Sequence, residues 1–192
     1  MSHNFPLDAS FFKLLMLIDT ELAKEQKPQG CPYCGGPLHR ADYPRSPFGI
    51  PAEYRDFFTQ RISYCCSDCR KRVTPTSVRF FGRCWYPAPL FLILNLFRHG
   101  VNSQRLRQIQ RYLNITITRN TLKRWRRWWQ NIFPLTLFWQ KFKGRFLCDT
   151  DKIYFPLALL KSFTGNLLEK LFLLLQFLAP MTAGHLHAVQ RR

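Results

Sequence analysis

Two pairs of cysteines have the spacing of metal-binding knuckles. Two residues separate Cys31 from Cys34, and two separate Cys66 from Cys69. This spacing lets a tight turn present both sulfurs to one ion, and four thiolates make the closed tetrahedral site of structural zinc. Because all four positions are filled, such an ion orders the chain and offers no open position for catalysis. We predict one structural zinc ion on these four cysteines.

The long gap between the knuckles leaves the ligand set open. Residues 35–65 exceed the about 15–20 residues of a compact ribbon, so we expect either an inserted loop or hairpin, or a different set of ligands. Cys65 competes with Cys66 but would be separated from Cys69 by three residues, and His39 is another possible ligand. The spacing favours Cys66.

The charge of the chain indicates a polyanionic partner. Lys and Arg number 29 against 11 Asp and Glu, a net charge of +18, whereas solubility requires only about 2–8. The apolar runs are too short or too interrupted for a membrane helix, and we find no signal-peptide pattern. Seven cysteines, an odd number, fit metal ligands and free thiols better than disulfides. We therefore expect a cytoplasmic, nucleoid-associated protein that binds double-stranded DNA and no membrane.

A helix-turn-helix pattern follows the cysteines. A helix is predicted over 104–113, a short break over 114–116, and a second helix from 121 to about 133, opened by Thr118 or Asn120. The second helix is amphipathic. Its inward face is predicted to carry Leu122, Trp125, Trp129 and Ile132.

The opposite face of the second helix is basic. A major-groove reader must present donors to base edges from the first turns of this helix, where Arg and Lys pair with guanine and Asn with adenine. We predict base contacts from Arg119, Asn120, Lys123 and Arg124. We predict phosphate contacts from Arg126, Arg127, Arg105, Arg107 and Arg111.

Periodicity divides the chain into four segments. Residues 1–29 form an N-terminal amphipathic helix, 30–87 the four-cysteine zinc-ribbon module with a basic strand, 88–135 the helix-turn-helix region, and 136–192 a helical segment that packs or dimerises. The predicted fold is mainly α with a small β zinc ribbon: a four-cysteine zinc module followed by a helix-turn-helix domain. The apolar positions of the first helix are Phe11, Phe12, Leu14, Leu15, Ile18 and Leu22.

Three motifs together resemble the N-terminal zinc-ribbon and helix-turn-helix region of bacterial insertion-sequence transposases. They are Cys31-Pro-Tyr-Cys-Gly-Gly, Cys66-Ser-Asp-Cys-Arg-Lys-Arg-Val and Thr121-Leu-Lys-Arg-Trp. The resemblance covers roughly residues 30–130. It implies that the second knuckle runs into a basic strand, Arg70 to Phe81, and that the following helices bind the terminal DNA of a mobile element.

We expect the catalytic part of such a transposase to be absent from this chain. That chemistry needs three carboxylates brought together from distant strands of a large domain. After residue 133 the acids are Asp149, Asp151 and Glu169 alone. We therefore expect no enzyme and no small-molecule substrate. The predicted function is site-specific DNA binding by a transposase-like accessory protein or derived regulator.

Three other functions stay open, and one of them, binding to an anionic membrane surface, is opposed by the broken apolar runs. An adaptor would use the ribbon to grip a separate transposase, and self-dimerisation is a further possible association. A nonspecific RNA or single-strand binder would stack bases on exposed aromatic rings. The candidate rings are Tyr33, Tyr43, Phe80, Phe81, Trp85, Trp128 and Trp139.

Overall fold

The protein is mainly helical with a small antiparallel sheet. A computed structural model describes residues 9–50, 52–81, 87–96, 117–146 and 154–183. The α-helices are α1 (Ala9–Gln26), α2 (Ala88–Leu96), α3 (Arg119–Arg127), α4 (Leu137–Phe142), α5 (Leu157–Lys161) and α6 (Leu167–Leu178). The strands are β1 (Leu38–Arg40), β2 (Tyr43–Pro44), β3 (Gln60–Arg61), β4 (Tyr64–Cys66) and β5 (Arg72–Val73).

The chain divides into two compact units. Unit 1 comprises residues 1–88 together with 176–192, and unit 2 comprises residues 89–175. The helix predicted over 104–113 lies outside the described residues. No helix in the described ranges is both long and apolar enough to cross a membrane.

Helix α1 packs a stripe of residues spaced four apart into unit 1. Phe11, Leu15, Asp19 and Ala23 are all buried, because residues at this spacing share one side of a helix. Leu14 was predicted on the apolar face, yet 45% of its surface is exposed. One member of the buried stripe, Asp19, is an acid.

A long β-hairpin fills the sequence between the two cysteine knuckles. Strands β1 and β4 pair antiparallel with Leu38 opposite Cys66, and β2 pairs with β3 in the same register, with Tyr43 opposite Arg61. A 3-10 helix, Ala52–Phe58, lies between the two arms. Strand β5 pairs with the other edge of β4, which gives the order β1-β4-β5. Of the alternatives that the long gap left open, the inserted hairpin is the one observed.

Asp19 is the centre of a buried polar network in unit 1. Its Oδ2 accepts hydrogen bonds from Arg79 Nε at 2.8 Å and from Ser77 Oγ at 2.6 Å, and its Oδ1 accepts one from the Val78 amide at 2.7 Å. Arg61 Nη1 lies 4.0 Å from Oδ2. Charge-assisted bonds of this kind are about twice as strong as neutral ones, so they tie α1 firmly to the segment after β5.

Both arginines of this network also donate to backbone carbonyls. Arg79 Nη1 donates to the Phe57 carbonyl, and Arg61 Nη2 donates to the Pro75 carbonyl. The basic strand expected over Arg70–Phe81 is regular strand only in β5, and Arg79 is 4% exposed. Arg79 therefore lies in the interior of unit 1 and is not part of an exposed basic surface.

Aromatic side chains form the interior of unit 2. The Phe91 ring of α2 lies 5.2 Å from Trp125 and 5.6 Å from Trp129, measured between ring centroids. Trp129 lies 5.0 Å from Phe133, which lies 5.3 Å from Trp139. Trp129 and Phe133 are completely buried. These rings hold α2, α3 and α4 together.

The end of the second predicted helix differs from the prediction. Helix α3 continues into a π-helical turn, Trp128–Ile132, where the backbone winds more widely than in an α-helix. The wider turn brings Phe133 into line with Trp129 and rotates Ile132 away. Ile132 is 51% exposed, so its predicted place on the inward face was wrong and Phe133 occupies that place.

Candidate metal centre and nucleic-acid interface

The two knuckles bring four cysteine sulfurs together. The Sγ atoms of Cys31, Cys34, Cys66 and Cys69 all lie within 4.8 Å of one another. Cys31 Sγ is 3.6 Å from Cys69 Sγ, and Cys34 Sγ is 3.5 Å from Cys66 Sγ. The four cysteines predicted from their spacing therefore form a cluster that could hold one metal ion.

Glycine shapes the first knuckle. The Cys31 amide donates to the Gly36 carbonyl at 2.9 Å, and the Gly35 amide donates to the Cys31 carbonyl at 2.8 Å. Gly35 has a φ of +76°, which glycine adopts at little cost. A Cβ on Gly36 would lie 2.2 Å from Asp68 Oδ2 and 3.1 Å from Cys66 Sγ. Gly36 therefore lets the backbone pass close to the sulfur cluster.

The second knuckle repeats the backbone hydrogen bonds of the first. The Cys66 amide donates to the Lys71 carbonyl at 3.0 Å, and the Arg70 amide donates to the Cys66 carbonyl at 3.2 Å. Arg70 has a φ of +58° and so occupies the position equivalent to Gly35. The two knuckles are thus near-copies in backbone, with arginine in one where the other has glycine.

Cys65 and His39, the alternative ligands, lie outside the cluster. Successive side chains of a strand point to opposite faces, so Cys65 faces away from the side that Cys66 occupies on β4. Its thiol donates to the Arg70 carbonyl at 3.6 Å. His39 is exposed and lies opposite Cys65 in the β1–β4 pair. Neither belongs to the sulfur cluster that the described residues form.

The electrostatics of the cluster favour a bound cation. Burial opposes ionisation of the Cys31 thiol, but hydrogen bonds from the Tyr33 and Cys34 amides and from neighbouring thiols lower its pKa to about 7. For Cys34 a backbone hydrogen bond at Gly36 favours the thiolate, yet the sulfurs of Cys69 and Cys66 raise its pKa to about 12. A cation bound among the four sulfurs would favour their thiolate forms.

The cluster borders the hydrophobic core of unit 1. Cys31 and Cys66 are buried in that core together with Leu38 and Val73. The Tyr64 hydroxyl donates to the Ala23 carbonyl at 2.7 Å, which joins β4 to the end of α1. An ion on the four sulfurs would thus fix both knuckles to the sheet that packs under α1.

Helix α3 presents a basic surface. Thr118 caps its first turn, because the Thr118 Oγ1 accepts a hydrogen bond from the Thr121 amide at 3.2 Å. Thr121 and Trp125 are buried. The six predicted DNA-contact residues of this helix are all exposed: Arg119, Asn120, Lys123, Arg124, Arg126 and Arg127. The remaining three, Arg105, Arg107 and Arg111, lie outside the described residues.

A second basic segment of unit 2 escaped the sequence prediction. Lys141, Lys143 and Arg145 are exposed at the end of α4 and in the 3-10 helix after it. The Arg145 guanidinium lies 4.7 Å from the centre of the Phe142 ring. The sequence could have indicated this segment, because basic residues alternate with uncharged ones over 141–145 and none of the five is acidic.

Several aromatic rings predicted as stacking surfaces are in the interior. Phe80 is 2% exposed and Trp139 is 5% exposed, because each belongs to a hydrophobic core. Tyr33 is 39% exposed and carries the Lys71 ammonium 4.7 Å from its ring centre. Trp85 lies outside the described residues. Among the described candidates, Tyr33 is the large ring most open to solvent.

Comparison with known proteins places this chain in no family. No protein-family model, no curated protein and no solved structure matches it.

Proposed function

We propose that this protein is a zinc-dependent, site-specific binder of double-stranded DNA and has no catalytic activity of its own. The observation that carries the proposal is α3, a capped helix with Trp125 buried on one side and its basic residues exposed on the other. A net charge of +18 supports a polyanionic partner and nucleoid association.

Zinc is the ion we propose for the sulfur cluster. Four thiolates suit a soft or borderline metal, and a tetrahedral ion with bonds of about 2.3 Å requires sulfurs about 3.8 Å apart. The measured separations of 3.5 and 3.6 Å, and the 4.8 Å limit for all pairs, fit that geometry. Zinc would contribute folding free energy to the two knuckles and would leave no open position for a reactant.

The first turns of α3 are proposed to enter the major groove. Arg119, Asn120 and Lys123 would present donors to base edges, as would Arg124 one residue further on. Arg126 and Arg127 would contact phosphates and fix the register. The cap at Thr118 supports this arrangement because it defines where the helix begins.

The mobile-element association rests on the resemblance of the cysteine motifs and the helix motif to insertion-sequence transposases. In that reading the protein is a transposase-like accessory factor or derived regulator. The corresponding arrangement that we propose for this chain is a zinc ribbon followed by a helix-turn-helix.

An adaptor function is the second candidate, and one observation favours it. Ile132, Leu135 and Leu137 in unit 2 are 51%, 75% and 71% exposed. Exposed apolar side chains close together in sequence are typical of protein contact surfaces. An adaptor for a separate transposase would bind DNA only when that partner is present.

Substitution on α3 tests the proposed function. The zinc-loaded full chain would be used to enrich bound sequences from random duplex DNA, and the affinity for the enriched site would be measured by fluorescence anisotropy. We expect Lys123→Gln and Arg124→Gln each to weaken binding about 5- to 150-fold, the equivalent of about 1–3 kcal/mol, and to relax the enriched sequence.

Lys161→Gln is the matched control, since Lys161 is an exposed lysine at the end of a different helix, α5. It should change the affinity less than about twofold. Unaltered affinity and unaltered enrichment in both α3 variants would contradict the proposed function.

A further inference from the structure

We propose that the tip of the second knuckle, formed by Arg70 and Lys71 and flanked by Tyr33, is a contact site for the phosphate backbone of nucleic acid. This inference rests on the proposed function and adds to it a defined surface in unit 1. We call these three residues the knuckle tip.

The first argument is the conformation of Arg70. Its backbone hydrogen bonds match those of Gly35 in the first knuckle, and both residues have left-handed φ values, +58° and +76°. Side chains other than glycine are strained in this region, and such strain concentrates at functional sites. Glycine would satisfy the fold at position 70. The arginine side chain therefore has a use other than making the turn.

The second argument is the surroundings of the two cations. Arg70 and Lys71 are exposed, and neither has a carboxylate within ion-pair distance among the described residues. The nearby acid Asp68 accepts a hydrogen bond from the Ser67 hydroxyl at 2.9 Å. Two adjacent cations thus stand on an exposed turn that the sulfur cluster holds in place.

Other arginines near the second knuckle already make hydrogen bonds or ion pairs within unit 1. Arg72 donates to the Ala41 carbonyl and to the Ser63 hydroxyl. Arg61 and Arg79 are buried beside Asp19. By contrast, Arg70 and Lys71 retain donors that can reach a ligand.

The third argument is Tyr33 of the first knuckle. Its ring holds the Lys71 ammonium at 4.7 Å, a cation–π contact that positions the charge at the tip without neutralising it. The guanidinium of Arg70 can grip a phosphate with two parallel hydrogen bonds, while the ammonium of Lys71 acts as a point charge.

The salt dependence of binding tests this assignment. Log K falls as log salt concentration rises, and each lost phosphate contact reduces the magnitude of this negative slope by about 0.9 for duplex DNA. The zinc-loaded full chain would be titrated against a duplex by anisotropy over a series of KCl concentrations. We expect the magnitude of the slope to be smaller by about 0.9 for Arg70→Gly or Lys71→Gln, and smaller by about 1.8 for the double variant.

Arg55→Gln is the matched control, because Arg55 is an exposed arginine on the 3-10 helix of the same unit, away from the knuckles in sequence. Its slope should equal that of the wild-type chain. An equal fall in the control would show an effect of net charge alone and would overturn the assignment.

Thermal unfolding of Arg70→Gly separates a ligand contact from a structural role. We expect a higher unfolding midpoint together with weaker DNA binding, because glycine relieves the left-handed strain while removing the guanidinium. A lower midpoint would make Arg70 a structural residue and overturn the proposal. Wild-type binding with unchanged slopes in the variants would also overturn it while leaving the proposed function standing, whereas a wild-type chain that binds no duplex would overturn both.

Discussion

Cys34 Sγ and Cys66 Sγ lie 3.5 Å apart although the two cysteines are 32 positions apart in sequence. The hairpin made by β1–β4 and β2–β3 closes that separation, because its two arms share one register from Leu38 opposite Cys66 to Pro44 opposite Gln60. The long insert therefore leaves the two knuckles close enough for their sulfurs to form one cluster. It continues the hairpin as a separate two-stranded sheet, β2–β3, next in sequence to the three-stranded sheet β1-β4-β5.

Metal binding should distinguish two adjacent cysteines. We expect the purified wild-type chain to hold one zinc ion and Cys66→Ser to lose it, because Cys66 is one of the four clustered sulfurs. Inductively coupled plasma mass spectrometry of the purified chains would measure the content.

Cys65→Ser is the control for that measurement, since the Cys65 thiol donates to the backbone carbonyls of Cys66 and Arg70 and is not one of the four clustered sulfurs. It should retain one zinc ion per chain. Zinc loss in Cys65→Ser together with retention in Cys66→Ser would contradict the ligand set.

Removing the Asp19 carboxylate should destabilise unit 1 strongly. Asp19→Asn leaves two buried arginines without their counter-charge, and breaking a buried pair in this way costs about 3–5 kcal/mol. Chemical denaturation monitored by circular dichroism would give the free energy of unfolding. Glu21→Gln, on the same helix, removes only an exposed ion pair with Lys24 and should cost less than about 1 kcal/mol. Equal losses in the two variants would refute the importance of the buried network.

Gly30 should tolerate no side chain. Its φ is +72°, and a Cβ there would lie 2.8 Å from the Gly35 carbonyl oxygen of the first knuckle. We expect Gly30→Ala to lower the free energy of unfolding by about 2 kcal/mol or more, and to weaken zinc binding because the knuckle must shift. In Gly144→Ala the new Cβ meets nothing within 4 Å, so its effect should stay within about 0.5 kcal/mol. Similar values for both glycines would count against the strained turn.

Loss of the α3 cap should loosen the start of the basic helix. Thr118→Ala leaves the Thr121 amide without its side-chain acceptor, which costs about 1 kcal/mol of helix stability. Hydrogen exchange of the first-turn amides, read by mass spectrometry, should become faster. Thr164→Ala, an exposed threonine between α5 and α6, should leave those amides unchanged. Unaltered exchange in Thr118→Ala would contradict the capping role.

Local patterns in the sequence indicated the cysteine cluster and the basic face of α3. The spacing of Cys31, Cys34, Cys66 and Cys69 reflects a turn geometry that depends on few other residues, and Thr118 is a cap that local chemistry favours. Asp19 could not be placed in the same way. Its burial depends on Arg79, 60 positions away, and an acid in an amphipathic helix is ordinarily assigned to the solvent face.

The turn after α3 was unpredictable for a related reason. Ile132 and Phe133 both fit the inward face of a regular helix that contains Trp129. The choice of Phe133 follows from the π-helical turn and from its packing against Trp139. Hairpin register is likewise a property of pairing between distant segments, so the spacing of the knuckles left the nature of the insert open.

Selection of DNA sequences by the zinc-loaded chain, with and without a chelator, tests the central claim most directly. The purified wild-type protein would be shifted electrophoretically against random duplex DNA with competitor, and the bound fraction would be sequenced. We predict one enriched motif that is lost when the chelator removes zinc, because the proposed ion would hold the two knuckles in place. Binding without any enriched motif would contradict site recognition, and absence of binding would contradict the proposal as a whole.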